Sequence, residues 1–304
     1  MQEVEFVWMD GNFVKWDNAN IHILTPSLHY GSSVFEGIRC YDTAKGPAVF
    51  RLKDHIRRFF ASAKAIGLEI SFSEKELFDA CLELVRMNKL KECYIRPIAY
   101  YGYGQMGINP IGSPTKVAII VWPWDAYLGE DAIKNGVRVK VSPWVRPPIN
   151  VLPAGVKASA NYLNSMLAKL DAINSGYEDA VLLDSAGNVA ECTVENIFIV
   201  NDGVIITPPI DNILKGITRE SIIQIALDFD LKVEERFFGK EKLISADECF
   251  MTGTAIELTP IKEIDGKPIG NGKPGPITTK LQARFYEAIH GKILKYEKWL
   301  DFVN

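Results

Sequence analysis

The sequence predicts an α+β protein of two domains, and three observations carry that reading. A chain of 304 residues is long enough for two domains of ordinary size. Helical and strand-like periodicities alternate up to residue 122, whereas strands and hairpin turns dominate from residue 134 onward. Between them, over 123–133, the apolar alternation lapses in a stretch that opens Pro123-Trp124-Asp125-Ala126-Tyr127. The expected division is a smaller N-terminal α/β domain (1–122), an interdomain loop (123–133) and a larger strand-rich domain (134–304). Trp124 and Tyr127 are too large and aromatic for that loop to be a bare spacer.

Each element has a local cause. Val4–Trp8 and Phe13–Trp16 flank Asp10-Gly11, a pair that tolerates the positive φ of a tight hairpin turn. A helix is expected from a cap at Asp54 to Ile66, with Ile56, Phe59, Phe60 and Ala63 on one side and Gly67 as its stop. A second should start at Ser73 and cover Glu74–Asn88. Tyr94–Tyr101, Lys116–Trp122 and Val137–Val141 read as strands. After Lys157 a helix is expected from Asn161 to Ser175, with Leu163, Met166, Leu167, Leu170 and Ile173 at core spacing. Hairpin turns are marked by Ser185–Asn188, Asn201-Asp202-Gly203 and Asp265-Gly266-Lys267. A last helix begins near Thr218 and runs to Phe229.

Composition narrows the function classes. Apolar residues at 47% and charged residues at 24% match a soluble globular chain. A net charge of −4 provides no basic field for nucleic acid or an anionic membrane surface, so neither is expected as a partner. The acidic start, Met1-Gln2-Glu3-Val4-Glu5, is unlike a secretion signal, and the most apolar run, Val117–Trp122, has only strand length. Five scattered cysteines suit a reducing cytoplasm. Neither they nor the four histidines have metal-ligand spacing, and no metal is expected.

Several residues could carry chemistry, although each has an ordinary structural reading when taken alone. Lys157 lies among small residues (Gly155, Ala158, Ser159, Ala160) that let a flat ligand approach, and a sheltered lysine becomes nucleophilic toward an aldehyde. Glu191 and Glu195 sit in the mostly apolar segment Val189–Val200 and need partners there. A carboxylate facing a pyridine nitrogen would keep it protonated. Gly216-Ile217-Thr218-Arg219 opens a helix whose first amides can hold an anion. Thr252-Gly253-Thr254-Ala255 is a second small, hydroxyl-bearing turn. Arg57 and Arg58 both lie off the apolar stripe of their helix, so periodicity does not choose between them. Tyr94 and Arg96 share one strand face, and an inward arginine there calls for an anion.

Six stretches stand in order along the chain: His29–Arg39, Tyr94–Pro97, Lys157 through Asn161-Tyr162-Leu163, Glu195–Phe198, Gly216–Arg219 and Met251–Ala255. In them, from about Trp8 to Phe302, the chain resembles the branched-chain amino-acid aminotransferases, enzymes of the fold-type IV group that use pyridoxal 5'-phosphate. The resemblance implies a two-domain fold-type IV architecture and transamination of leucine, isoleucine or valine with 2-oxoglutarate. It implies that Lys157 holds the cofactor as a Schiff base and moves the substrate proton. It further implies Glu191 at the ring nitrogen, Tyr162 at the ring hydroxyl, and a phosphate site of Arg58 (three residues after His55, as in a His-x-x-Arg pattern), Ile217, Thr218 and Thr254. For substrate it implies Tyr94, Thr254 and Ala255 at the α-carboxylate and Phe35, Gly37, Trp124 and Tyr162 around the aliphatic side chain. Tyr30 and Arg96 would take the γ-carboxylate of glutamate. Tyr127 and the Met106–Ile108 loop would come from a neighbouring subunit of a homodimer or homohexamer.

One departure stands out: Cys192-Thr193-Val194 fills a tract that is usually glycine-rich, so side chains are expected where backbone passes the cofactor ring. Two relatives on the same fold, D-amino-acid aminotransferase and aminodeoxychorismate lyase, remain alternatives. The Tyr-Ile-Arg-Pro stretch favours the branched-chain reading over the first, and the Glu-Cys start of the tract resembles the second.

Overall fold

In a computed structural model of the protein, residues 2–124 and 129–303 are described. Tyr127 lies outside the described residues. The chain divides into two compact units, Met1–Asp125 with Val156–Ala160 and Glu287–Asn304, and Ala126–Gly155 with Asn161–Tyr286.

The first unit opens on the expected hairpin of β1 (Phe6–Met9) and β2 (Asn12–Lys15). Its two turn residues, Asp10 and Gly11, both have positive φ, which matches the right-handed twist of the strands. There follow α1 (Pro26–Tyr30), β3 (Ser33–Phe35), β4 (Ile38–Thr43), β5 (Gly46–Phe50), α2 (Leu52–Ala65), α3 (Glu74–Met87), β6 (Cys93–Tyr101) and β7 (Thr115–Trp122). The strands form one sheet in the order β5-β4-β6-β7-β1-β2, with β3 also paired to β6. Helices α2 and α3 bury Leu52, Ile56, Phe59, Leu77 and Leu84 in a core shared with Ile38, Ile95 and Ile119 of the sheet.

The two helix starts show how local chemistry decides. Ser73 caps α3 reciprocally: its hydroxyl accepts from the Glu76 amide, and its own amide donates to the Glu76 carboxylate at 2.7 Å. Asp54, expected as the cap of α2, is instead in its first turn. The chain reverses at Arg51 in the left-handed region, so the helix begins at Leu52, and Asp54 accepts from Arg51 Nε at 2.7 Å.

The second unit contains α4 (Glu130–Asn135), β8 (Val137–Val141), α5 (Asn161–Asn174), β9 (Asp179–Leu183), β10 (Val189–Cys192), β11 (Asn196–Asn201) and β12 (Val204–Thr207). Then come α6 (Ile217–Leu227), β13 (Val233–Glu235), α7 (Lys240–Ile244), β14 (Glu248–Gly253), β15 (Glu257–Ile264), β16 (Lys267–Pro268) and α8 (Pro276–Ile289). Its sheet runs β10-β9-β8-β15-β14-β11-β12-β13, with β16 paired to β15. The three expected turns close β9–β10, β11–β12 and β15–β16.

Helix α5 reverses its expectation. Leu163, Met166, Leu170 and Ile173 are exposed, and the buried face is made of Asn161, Ser165, Ala168 and Ala172. Small residues let the helix lie close on β9, where Ala168 and Ala172 pack with Ala180 and Leu182. The apolar stripe that periodicity assigns to the core therefore faces outward.

Two stretches depart from the division at 122 and 134. The last strand, β17 (Leu300–Phe302), pairs with β5, and residues 156–160 join the first unit's sheet through a bridge between Val34 and Ala158. Backbone pairing, which has no composition signature, sets both. Among the described residues no helix is long and apolar enough to cross a membrane.

Candidate active site

Lys157 is built into the first unit by main-chain bonds on both sides. The Phe35 amide donates to its carbonyl at 3.1 Å, and the Ser159 amide donates to the Ser33 carbonyl at 2.9 Å. The Lys157 amide donates to Ser62 Oγ on α2 at 3.1 Å. Its Nζ lies 5.0 Å from the Phe35 ring centroid. Burial first, and then the Arg58 cation, lower its pKa from 10.5 to about 8, against an opposing pull from Glu36. A lysine so placed has an appreciable neutral fraction near neutral pH and can attack an aldehyde.

Arg58 approaches the lysine from α2. Of the two adjacent arginines, Arg57 is exposed and sits 3.5 Å from Asp54, whereas Arg58 is half-buried and paired with the buried Glu36. Glu36 grips it with both oxygens, accepting from Nε at 2.7 Å and from Nη2 at 2.8 Å. His55 Nδ1 lies 2.7 Å from the same carboxylate. Burial opposes ionisation of Glu36, but the charge and hydrogen bonds of Arg58 and then His55 overcome it, holding the carboxyl well below its usual range. The residue-type argument passed over Glu36 and His55. A glutamate inside the apolar run Val34–Ile38 was the available signal, since a buried carboxylate requires a partner.

An aromatic wall stands beside the lysine. Tyr94 stacks on Trp122 at 5.0 Å and packs in a tilted arrangement against Trp124 at 4.7 Å. The Arg96 guanidinium lies 4.7 Å from the Phe35 centroid and 5.2 Å from that of Tyr94. Arg96 Nε is buried with no hydrogen-bond partner, and no carboxylate lies within ion-pair reach of this arginine among the described residues. A half-buried cation without a counter-charge is costly, and an anion beside it would offset that cost. Gly37 admits the Tyr94 ring: an ideal Cβ there would lie 2.8 Å from Tyr94 Cζ and closer still to its oxygen. The structure thus brings Phe35, Gly37, Arg58, Tyr94, Arg96, Trp124 and Lys157 together. Tyr30 ends α1, half-exposed, and Met106 and Ile108 are exposed in the β6–β7 loop.

A second cluster lies within the second unit. Glu191 on β10 is buried, with its Oε1 2.8 Å from Arg146 Nε. That pair is an ion contact rather than an aligned hydrogen bond, since Arg146 Nε has no hydrogen-bond partner. Glu191 Oε2 accepts from the Leu214 amide at 3.2 Å and, more weakly, from Asn196 Nδ2 at 3.4 Å. Asn196 also donates to the Leu214 carbonyl at 2.9 Å and pairs in register with Thr252. It therefore ties Glu191 to the start of α6 and to the turn bearing Thr254 and Ala255. Arg146 was missed, and its loop, Pro143-Trp144-Val145-Arg146-Pro147, carries no sequence signal that sets it apart.

The start of α6 is shaped for an anion. Gly216 precedes Ile217 and Thr218 and offers no side-chain cap, and an ideal Cβ on it would press on Asn196, 3.2 Å from Cγ and closer to Oδ1. Thr252 Oγ1 is buried nearby in register with Asn196 and has no hydrogen-bond partner among the described residues. Tyr162 stands in the first turn of α5, partly buried. The Cys192–Val194 tract turns mostly inward: Cys192 belongs to the unit's core, Thr193 Oγ1 donates to Asp179 at 2.8 Å, and only Val194 is exposed. Two of its three side chains are therefore taken up by the unit's interior.

The first unit offers a lysine primed for an aldehyde beside a half-buried arginine, and the second offers a braced carboxylate and a helix start with no side-chain cap; each set suits part of a phosphorylated pyridine aldehyde. The uncapped α6 and the unpartnered Thr252 hydroxyl are the observations on which the residues fit pyridoxal 5'-phosphate. Fold and donor set define a class IV aminotransferase: residues 33–264 match the family model Amino-transferase class IV, and the chain belongs to that family. Over its whole length it is 42% identical to the branched-chain-amino-acid aminotransferase of Escherichia coli (strain K12), covering 99% of that relative. The crystal structure of the Escherichia coli branched-chain amino acid aminotransferase superposes with a TM-score of 0.97 at 42% identity, over 99% of this chain and 100% of that one. The branched-chain amino acid aminotransferase of Thermobaculum terrenum, solved in its PLP-form, gives 0.94 at 34% identity, each chain fully covered. Within the family the chain stands with the branched-chain-amino-acid aminotransferases.

Proposed function

We propose that the protein transfers the amino group of leucine, isoleucine or valine to 2-oxoglutarate, giving branched-chain 2-oxo acids and L-glutamate, with pyridoxal 5'-phosphate held on Lys157. The observation that carries this is the buried Lys157 beside an aromatic wall that also contains the anion-seeking Arg96. Apolar walls suit aliphatic side chains, and an unneutralised arginine at their edge suits the carboxylate of glutamate.

When bound, the cofactor supplies the electron sink that lets the substrate Cα–H bond ionise. Lys157 would take that proton from Cα and deliver it to C4′ of the cofactor, since its lowered pKa lets it act as base and then as acid. Glu191, braced by Arg146, keeps the pyridine nitrogen protonated, and Tyr162 hydrogen-bonds the ring hydroxyl. Arg58, Ile217, Thr218 and Thr254 hold the phosphate. Tyr94, Thr254 and Ala255 orient the α-carboxylate; Phe35, Gly37, Trp124 and Tyr162 exclude water from the side chain; Tyr30 and Arg96 take the γ-carboxylate. In a homodimer or homohexamer, Tyr127, Met106 and Ile108 reach the neighbouring subunit's site. The exposed α5 stripe of Leu163, Met166, Leu170 and Ile173 supports self-association, since contiguous exposed apolar side chains mark interaction surfaces. Five free, buried cysteines support a cytoplasmic setting.

The test is glutamate formation from 2-oxoglutarate with a panel of L- and D-amino acids. Leucine, isoleucine and valine are expected to be converted. Failure of all three, or conversion of D-alanine in their place, overturns the assignment. Light scattering tests the assembly: wild type should be a dimer or larger, and Met166→Lys with Leu170→Lys should reduce its mass. A monomeric wild type refutes it.

A further inference from the structure

Helix α2 presents the buried His55 and Ser62 and the half-buried Arg58 along one stripe, at the three- and four-residue spacing of a helix face. Ser62 receives the Lys157 amide, Arg58 lies within electrostatic reach of Lys157 Nζ, and His55 lies one turn behind. Opposite them, Glu36 sits between Phe35, whose amide holds the Lys157 carbonyl, and Gly37. Its backbone is fixed as well, because its own amide donates to the Pro97 carbonyl at 2.9 Å.

We infer that Glu36, backed by His55, is a positioning residue that sets the plane of the Arg58 guanidinium toward the cofactor phosphate. The inference rests on the assignment of Arg58 to that phosphate. Its basis is geometric. Glu36 takes Nε and Nη2 as a fork, which fixes the guanidinium plane as a single hydrogen bond does not. The carboxylate is immobilised in turn, since Oε2 also accepts from His55 Nδ1 at 2.7 Å and from the Gly37 amide at 3.3 Å. Burial, the largest influence on His55, lowers its pKa and leaves the ring neutral, so Nδ1 carries the proton it donates. A buried carboxylate with forked geometry and a neutral histidine behind it hold one arginine in one orientation. An arginine needed only for solubility requires none of this.

The experiment compares the affinity of the apoprotein for pyridoxal 5'-phosphate and for pyridoxal, which lacks the phosphate, followed by the absorption of the lysine adduct. In wild type the phosphate ester binds far more tightly. Glu36→Gln is expected to weaken the phosphate ester roughly 10- to 100-fold, the range typical of supporting-shell partners, while pyridoxal changes by no more than about threefold. Equal losses for both ligands, or no loss for either, overturn the inference, because a merely structural role does not distinguish them. Arg58→Met keeps the underlying assignment separable. If it leaves the ratio of the two affinities unchanged, the role of Arg58 fails, and this inference with it. If it lowers the ratio and Glu36→Gln does not, Glu36 alone is refuted. Should the Gln protein not fold, Glu36→Asp is read instead: it keeps the charge but shortens the fork, and an unchanged ratio there overturns the inference equally.

Discussion

Gly37→Ala tests whether the Tyr94 ring must stand where it does. The new Cβ would lie 2.8 Å from Tyr94 Cζ, about 0.6 Å short of the 3.4 Å at which ordinary contact begins, and closer still to the phenolic oxygen. Tyr94 has little freedom to retreat, since Trp122 stacks on it at 5.0 Å and the tilted ring of Trp124 lies 4.7 Å away. The strain falls on the ring or on the Phe35–Ile38 backbone, and overpacking of this kind costs about 1–3 kcal/mol. If that cost is borne by the bound carboxylate, kcat/KM falls about 5- to 150-fold. The assay is steady-state transamination with L-leucine and with 2-oxoglutarate varied in turn, alongside cofactor titration of the apoprotein. Both substrates share the α-carboxylate, so both specificity constants should fall while cofactor affinity stays within about threefold. A folded variant with both constants within about twofold of wild type refutes the placement of Tyr94, as does a loss confined to cofactor binding.

Two further predictions use protonation. With a pKa lowered to about 8, Lys157 of the apoprotein should react with an aldehyde at a rate that rises with pH and levels above that midpoint. Arg58→Met removes a cation that lowers the pKa, so reductive trapping at a series of pH values should show the midpoint moving up; a downward shift contradicts the electrostatics. Glu195 is buried, and that burial, followed by the charge of Asp179, raises its pKa from 4.5 to about 8. Between those values the folded chain keeps a proton that the unfolded chain has lost, so this group's contribution to stability declines as pH rises. Melting temperatures of wild type and Glu195→Gln should separate between about pH 5 and 8 and run parallel above; a constant gap refutes the reading.

What was legible in the sequence was what neighbouring residues decide together. Ser73 with Glu76, and Asp10 with Gly11, write a helix start and a turn from residues close in the chain. The order of six stretches around Lys157 carried the family. What escaped was decided across distance: Glu36 meets Arg58 over 22 positions of chain, and Arg146 meets Glu191 from a loop of ordinary composition. Helix α5 failed for another reason. Periodicity locates an apolar stripe but not what it faces, and there the close-packed side belongs to Ala168 and Ala172.

The first unit is assembled from three separate stretches, 1–125, 156–160 and 287–304. Its lysine arrives on the second and its edge strand β17 on the last. On a ribosome the N-terminal stretch emerges first, yet the outer edge of β5, paired on its other side with β4, has no partner until residues 300–302 have been made. The part of the molecule that is synthesised earliest is thus completed last. During translation its unpaired β5 edge is open to the hazards of an exposed strand, and a chain truncated before residue 300 keeps Lys157 but loses the strand that covers that edge.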